Sequence, residues 1–279
     1  MECKLVKTKV TFAPQGDFIS LSNFGYHSVF GVHERGEVVG FSKKSRSRLM
    51  SKIAKVNKNW MPVFVTLTYP DNFPGQFEVY KRDLDNFFRS FFRQFPKAGV
   101  IWKLEYQSRG AAHYHLLVWG VNVADLLEFV PSTWHRIAAP DDPLHLQWHL
   151  GLLGNGNQHC VQAVRSWHGV KSYASKYFSK IEGQETYHGG RVWGVRGNVP
   201  FSKIIEFTID MKTALAFRRA FRRWSGYKNR RFGFWANGYS PAWLEFIFRK
   251  MEEVENEHIP PNFPPGWWLN MCPLEDEVF

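Results

Sequence analysis

Cysteines and long apolar runs are both scarce in this sequence. Its three cysteines are an odd number without the spacing of a metal site, so they predict a reducing compartment and no disulfide framework. No apolar segment approaches the roughly 20 residues that span a bilayer. The stretch MECKLVKTKV also lacks the apolar core of a signal peptide. We therefore expect a cytoplasmic protein without a membrane partner.

Repeats and a nucleotide-binding motif are missing as well. The chain contains no internal repeat, no low-complexity segment and no G-x-x-x-x-G-K-[ST] motif. The glycine-rich stretch GLLGNGN lacks both the lysine and the strand–helix context of a phosphate-binding loop. We therefore do not expect the chain to carry its own ATP-driven helicase.

Positive charge is abundant and unevenly distributed. The 279 residues include 36 Lys and Arg against 25 Asp and Glu, which gives a formal net charge of +11. Seven of the 25 acids and none of the 36 basic residues fall within 251–279, so the first 250 residues carry +18. A strongly basic body rich in aromatic residues favours a nucleic-acid partner, and a merely soluble basic protein is the alternative.

Hydrophobic periodicity predicts a mixed α+β fold. The alternating run PVFVTLTYP predicts a strand with Thr66 and Thr68 on one face. Two further strands, on either side of the turn SRGAA, predict a hairpin. We expect a central antiparallel sheet flanked by helices, of the RRM type, with a helical C-terminal extension. The predicted helices cover 42–59, 77–96, 166–181 and 211–224, and 121–160 reads as irregular.

A domain boundary is predicted near residue 210. The core domain would cover 1–210, with its motifs at about 60–210, and the extension would cover 211–279. The extension begins with a basic helix and ends in an acidic, proline-rich tail.

Three side chains at the hairpin form a candidate metal site. His113 and His115 lie two residues apart in a strand, so both imidazoles point to the same face. If the turn is centred on Arg109, Glu105 lies directly opposite His113 and joins the pair. Two imidazoles and a carboxylate suit Mn²⁺ or Mg²⁺ with open positions, and can also accept Zn²⁺. The alternative is a strand-end histidine pair satisfied by hydrogen bonds.

A second group of histidines lies further along the chain. His145 and His149 are four residues apart, and His159 precedes Cys160. They would form a zinc site only if the segment were helical, and the surrounding proline and glycine disfavour a helix there.

The stretch YASKYFSK carries a candidate nucleophile. Tyr173 and Tyr177 lie four residues apart and share one face of a helix, while Lys176 and Lys180 share a neighbouring face. A tyrosine near a metal can attack a phosphodiester and form a covalent phosphotyrosine. A nearby lysine would hold the phosphate or ease ionisation of the phenol. The alternative is a plain apolar stripe packed on the core.

Two basic helices are candidate DNA-binding surfaces. The stretch KTALAFRRAFRRWSGYKNRRFGF has no acid and interleaves arginines with Phe217, Phe221, Trp224 and Tyr227, which suits phosphate contacts and base stacking. The alternative is a helix that packs its aromatic face on the core and exposes its arginines, and both can hold. The residues expected to contact DNA are Lys43, Lys44, Arg46, Lys180, Arg218, Arg219, Arg222 and Arg223.

The order and spacing of three motifs resemble those of a known superfamily. FVTLTYP, HYHLLV and YASKYFSK resemble the motifs of the HUH endonucleases, specifically of the rolling-circle replication initiators of small single-stranded DNA phages, viruses and plasmids. GRVWGV also resembles a segment that follows the tyrosine helix in such initiators. The resemblance spans about residues 60–210 and weakens outside them.

The resemblance implies roles for the candidate residues. His113, His115 and Glu105 would bind a divalent metal, Mn²⁺ or Mg²⁺, and relaxases usually carry a third histidine in place of the glutamate. Tyr173 would be the nucleophile, assisted by Lys176. Tyr177 stands where two-tyrosine members carry the second nucleophile, although one-tyrosine members can have an incidental aromatic residue there.

The implied activity is site-specific nicking and joining of single-stranded DNA through a covalent 5′-phosphotyrosine, which starts and ends rolling-circle replication. The implied partners are an origin strand, a host helicase and a host DNA polymerase, in the cytoplasm of a bacterial host. A one-tyrosine HUH transposase is a second interpretation. A third, from a different class, is a non-catalytic nucleic-acid-binding module, whose binding would survive chelation of metal.

Overall fold

The computed structural model describes residues 7–24, 41–153, 160–178, 190–226, 228, 233–236, 242–243, 245–247 and 249. Several predictions lie outside these residues, namely those for His159, Lys180, Tyr227 and the acidic tail. The side chain of Trp224 also lies outside the description.

The strands and helices are numbered in chain order. The strands are β1 (Lys7–Phe12), β2 (Ile19–Phe24), β3 (Val63–Thr68), β4 (Gly99–Tyr106), β5 (Ala112–Trp119), β6 (Val161–Ala163), β7 (Trp193–Gly197), β8 (Ile205–Ile209) and β9 (Phe234–Ala236). The helices are α1 (Lys43–Ala54), α2 (Phe77–Gln94), α3 (Val123–Ala138), α4 (Pro143–His149), α5 (Trp167–Tyr173) and α6 (Met211–Ser225). A π-helical turn, Ala174–Phe178, continues α5. None of the helices in the described part of the chain is long and apolar enough to cross a membrane.

The described residues divide into two compact units. One takes its residues from Met1–Glu34, Ala54–Asn57 and Phe201–Phe279, and the other from Arg35–Ile53 and Lys58–Pro200. Each unit contains an antiparallel sheet, so the α+β prediction is confirmed. The first unit draws strands and a helix from both sides of residue 210. As a functional division, the boundary at residue 210 stays a prediction.

The second unit is built on a five-stranded sheet with the order β6-β3-β5-β4-β7. One face of this sheet packs against α2 and α3 around an aromatic core, which includes Phe87, Phe91 and Trp134, all fully buried. Burial of each such side chain stabilises the fold by about 1.5–3 kcal/mol. Because side chains alternate along a strand, the same packing leaves the other face of β3, β4 and β5 to a different set of residues.

The hairpin of β4 and β5 has the predicted register. Glu105 pairs directly with His113. Gly110 in the turn has a φ of 86°, which residues with a side chain rarely adopt. Arg109 donates to the main-chain oxygen of Tyr69, which ties the turn to the chain just after β3. The turn geometry therefore holds the register on which the candidate metal site depends.

The prediction that residues 121–160 are irregular is wrong, because the segment contains α3 and α4. The side chain of Asn122 caps α3, and that of Asp142 caps α4, immediately before Pro143. Pro131 inside α3 obscured the helical pattern, yet every fourth residue of one stripe is fully buried. That stripe consists of Leu126, Val130 and Trp134.

The first unit is built on a four-stranded sheet with the order β8-β1-β2-β9. Helix α6 confirms the predicted last helix and contributes Phe217 and Phe221 to the core of this unit, where both are fully buried. Phe221 packs against Phe234 with ring centroids 4.7 Å apart. The arginine-rich helix therefore has a structural inner face.

Candidate active site

The polar face of the central sheet brings the strand motifs together. Thr66 pairs with His115 and Thr68 with His113 across β3 and β5. The intervening Leu67 points to the aromatic core, as the predicted alternation of β3 requires. Both threonines therefore lie beside the two histidines.

Hydrogen bonds hold the three predicted metal ligands side by side. His115 Nε2 lies 3.1 Å from Glu105 Oε2, and both side chains are almost fully buried. His113 Nδ1 lies 2.8 Å from the hydroxyl of Thr68, and the rings of the two histidines are 4.5 Å apart. With Nδ1 of His113 facing Thr68, its Nε2 is the nitrogen left to coordinate an ion.

The electrostatics of the pair favour the form of imidazole that binds metal. Burial, together with the nearby His115, lowers the pKa of His113 to about 3, so this ring is neutral at pH 7. Neutral imidazole is the form that acts as a ligand. No group of three or more His, Cys, Asp or Glu side chains among the described residues is arranged to hold a metal ion as it stands. The metal assignment of Glu105, His113 and His115 stays a prediction.

The Tyr173 hydroxyl lies within this cluster. It is 2.7 Å from His115 Nδ1, so one imidazole connects the phenol to Glu105. The phenol ring stacks on Phe64 with centroids 3.8 Å apart, which restricts its position. Burial raises the pKa of Tyr173, and a hydrogen bond from Thr66 opposes the rise. The phenol is therefore protonated at neutral pH, and an attack by this oxygen has to be accompanied by loss of its proton.

The second tyrosine of the motif lies at the same place. The Tyr177 ring is 4.5 Å from the His115 ring and 4.6 Å from the Tyr173 ring. Lys176 is exposed, its ammonium lies 4.8 Å from the centre of the Tyr177 ring, and a hydrogen bond with Tyr177 raises the pKa of this lysine. In this arrangement Lys176 is the neighbour of Tyr177. The catalytic roles of the three residues stay predictions.

Lys103 is a residue of the site that sequence reasoning missed. It is almost fully buried, with 1% of its surface exposed, and its ammonium donates to the main-chain oxygen of Tyr177 at 2.9 Å. It thereby joins β4 to the π-helical turn that carries the second tyrosine. The available signal was its position two residues before Glu105, because i and i+2 share a face in a strand that is otherwise apolar.

The predicted DNA-binding residues lie on two helices. Lys43, Lys44 and Arg46 are exposed on α1. On α6 the exposed arginines are Arg219 and Arg223, and Arg218 and Arg222 are half-buried. Contact with DNA stays a prediction for all of them.

The base-stacking role is wrong for two of the four aromatic residues proposed for it. Phe217 and Phe221 are fully buried in the core of the first unit, so their rings are not available to nucleobases. The helical period made the inner face of α6 look interleaved with its arginines in the linear sequence.

The motif-bearing region has a counterpart among known protein families. Residues 62–182 match the family model of the replication-associated protein ORF2. The match covers less than half of the chain and includes the two histidines, the glutamate and the two tyrosines of the site. It supports a Rep-type replication initiator that interacts with DNA. No curated protein and no solved structure matched the chain.

Proposed function

We propose that this protein is a metal-dependent, site-specific nicking and joining enzyme for single-stranded DNA, which starts and ends rolling-circle replication. The 2.7 Å contact between the Tyr173 hydroxyl and His115 Nδ1 carries the proposal. It places an oxygen nucleophile beside two imidazoles and a carboxylate, which is the combination that phosphodiester transfer to tyrosine needs. The family match over residues 62–182 supports the assignment to replication.

Glu105, His113 and His115 would hold the divalent ion. One carboxylate and two neutral imidazoles on one sheet face are a donor set that fits Mn²⁺ and accepts Mg²⁺ or Zn²⁺. When bound, the ion would neutralise charge on the scissile phosphate and orient it for attack. The hydrogen bond from Thr68 to His113 would fix the ring that presents Nε2 to the ion.

The hydrogen-bond direction at Tyr173 depends on which nitrogen of His115 carries the hydrogen. With Glu105 ionised, His115 Nε2 donates to the carboxylate and Nδ1 accepts from the phenol. With Nε2 committed to an ion, the single hydrogen of a neutral ring is on Nδ1 and donates to the Tyr173 oxygen. That bond would stabilise the negative charge that develops on the oxygen as it loses its proton.

Nicking would proceed by direct displacement at phosphorus. The Tyr173 oxygen forms a bond to the phosphorus, the bond from phosphorus to the 3′ oxygen breaks, and the released oxygen takes up a proton to become a 3′-OH. The 5′ end stays on the tyrosine, and the 3′-OH primes synthesis by a host polymerase. Joining reverses the displacement: a 3′-OH attacks the phosphotyrosine, and the phenol regains its proton.

Tyr177 would provide the second attack that ends a round of replication. Its ring is as close to His115 as the ring of His113 is, and Lys176 lies beside it. A second phenol at the same site can cut the regenerated origin while Tyr173 is still linked to the first 5′ end. The released 3′-OH then closes the displaced circle.

The test uses single-stranded oligonucleotides that tile the replicon from which the gene comes, incubated with the full chain and Mn²⁺ and resolved on a denaturing gel. We expect a covalent band that carries the 3′-side fragment and disappears with EDTA. Tyr173→Phe should keep DNA binding and reduce adduct formation by at least about 10³-fold, because only the nucleophilic oxygen is lost. Tyr106→Phe is the matched control, since Tyr106 packs on the opposite face of the sheet.

Two results would contradict the proposal. DNA binding that survives EDTA, with no adduct on any oligonucleotide, would favour the non-catalytic binding module. An undiminished adduct in Tyr173→Phe that is lost in Tyr177→Phe would transfer the nucleophilic role to Tyr177.

A further inference from the structure

A second cluster of imidazoles lies at the end of β3, outside the proposed nicking site. His145 and His149 lie on one face of α4, and both are buried. Their Nε2 atoms are 2.8 and 3.1 Å from the main-chain oxygen of Thr68 and 3.1 Å from each other. Three atoms that can each offer a lone pair therefore converge in one small triangle.

Hydrogen bonds alone satisfy this triangle poorly. The Thr68 oxygen also accepts from the indole N–H of Trp134 at 2.8 Å, and a carbonyl oxygen has two lone pairs. If both imidazoles carried their hydrogen on Nε2, three donors would compete for those two positions, and two N–H groups would face each other. If they carried it on Nδ1, three acceptor atoms would face each other with nothing between them.

A cation resolves the competition. One lone pair of the Thr68 oxygen then serves Trp134, and the other faces the ion together with Nε2 of His145 and His149. Zinc–nitrogen bonds of about 2.0–2.1 Å place neighbouring ligand atoms about 2.9–3.4 Å apart at angles between 90° and tetrahedral. The separations of 2.8, 3.1 and 3.1 Å are close to that range. Burial also lowers the pKa of both imidazoles, that of His149 to about 3, so both are neutral ligands at pH 7.

We propose that His145, His149 and the main-chain oxygen of Thr68 form a zinc site that is separate from the nicking site. The described residues hold no metal-ready group of three or more His, Cys, Asp or Glu side chains, and this site instead combines two imidazoles with one carbonyl. His135 on α3 is the candidate fourth ligand. Its ring lies 5.9 Å from that of His145, and in the described structure its buried Nδ1 has no hydrogen-bond partner.

The zinc ion has a structural role. It fastens α4 to the last residue of β3, and the hydroxyl of that residue, Thr68, contacts His113. The site stands independently of the nicking chemistry, because its ligands are neither the nucleophile nor the residues assigned to the catalytic ion.

The test measures zinc, not DNA cleavage. The full chain is prepared as His113→Ala/His115→Ala, which removes the nicking site, freed of metal with EDTA, and supplied with Zn²⁺. After gel filtration we expect one Zn²⁺ per chain by elemental analysis, together with a higher thermal unfolding midpoint in the presence of Zn²⁺. Adding His145→Gln/His149→Gln should abolish both. Glutamine is the matched substitution, because its side-chain nitrogen can still donate to the Thr68 oxygen but is a poor zinc ligand.

Retention of no Zn²⁺ by His113→Ala/His115→Ala, or unchanged retention after the glutamine substitutions, would overturn the proposal. If the fourfold variant does not fold, Co²⁺ replaces Zn²⁺ in His113→Ala/His115→Ala. The intense visible absorption of four-coordinate Co²⁺ is then expected, and its absence would refute the site. Nicking activity of the wild-type chain is decided separately by the adduct assay, so either proposal can fail alone.

Discussion

Thr68 illustrates how much one residue contributes to this molecule. Its side chain pairs with His113 at 2.8 Å, and its main-chain oxygen receives the indole of Trp134. The sequence motif FVTLTYP located Thr68 on the polar face but assigned it no role in the chemistry. The structure makes it a positioning residue for a proposed metal ligand.

Thr68→Val removes the hydroxyl and keeps the shape of the side chain. Because His113 then loses the partner that orients its ring, we expect metal affinity at the nicking site to fall by about 10–100-fold. The measurement is the Mn²⁺ concentration that gives half-maximal adduct formation. Thr68→Ser keeps the hydroxyl and should behave like the wild type. An unchanged Mn²⁺ requirement in Thr68→Val would show that the contact does not position the ligand.

Helix α6 shows how one element combines a core face with a charged face. Phe217 and Phe221 are fully buried, while Arg219 and Arg223 are exposed and four residues apart. The same helical period therefore provides the packing of the first unit and a pair of cations on one outer face.

Arg219→Gln/Arg223→Gln tests whether this outer face binds DNA. We expect weaker binding of single-stranded DNA and a log–log salt slope smaller by about 0.7 for each phosphate that the variant no longer neutralises. Affinity is measured over a range of salt concentrations. Arg89→Gln/Arg93→Gln is the matched control, with the same charge change and spacing on α2, an element that packs on the aromatic core face of the sheet. Equal effects of the two double variants would indicate general electrostatics rather than an α6 contact.

At the scale of the whole molecule, the buried histidines tie stability to pH. The pKa of His113 and that of His149 are each lowered to about 3 in the folded protein, chiefly by burial, from 6.5 in an unfolded chain. Below pH 6.5 the unfolded chain therefore binds protons that the folded protein excludes. The stability from these groups is complete above pH 6.5 and is lost as the pH falls toward 3.

We expect the free energy of unfolding, measured with urea in the presence of EDTA, to decrease as the pH is lowered below 6.5. The slope approaches about 1.4 kcal/mol per pH unit for each histidine. His113→Gln/His149→Gln removes two titrating groups and should flatten the profile between pH 6.5 and about pH 4.5. An identical slope in wild type and variant would show that other groups control the acid sensitivity.

What could be predicted followed the range of the interactions involved. The alternation of β3, the hairpin register of Glu105 and His113, and the shared face of Tyr173 and Tyr177 all depend on neighbours within about ten residues. The α3–α4 segment was missed although its signals are local, because Pro131 and the nearby glycines were read as breakers. The caps at Asn122 and Asp142 were the better guide.

By itself, the sequence determined the α+β class, the face on which the candidate ligands lie, and the spacing of the tyrosine motif, because strand and helix periods are properties of the local backbone. Only the tertiary structure decided which distant groups meet. The hydroxyl of Tyr173 reaches His115 from 58 residues away, Lys103 reaches the Tyr177 oxygen from 74, and His149 reaches the Thr68 oxygen from 81. These contacts depend on how the helices pack on the sheet, and no local periodicity encodes that packing.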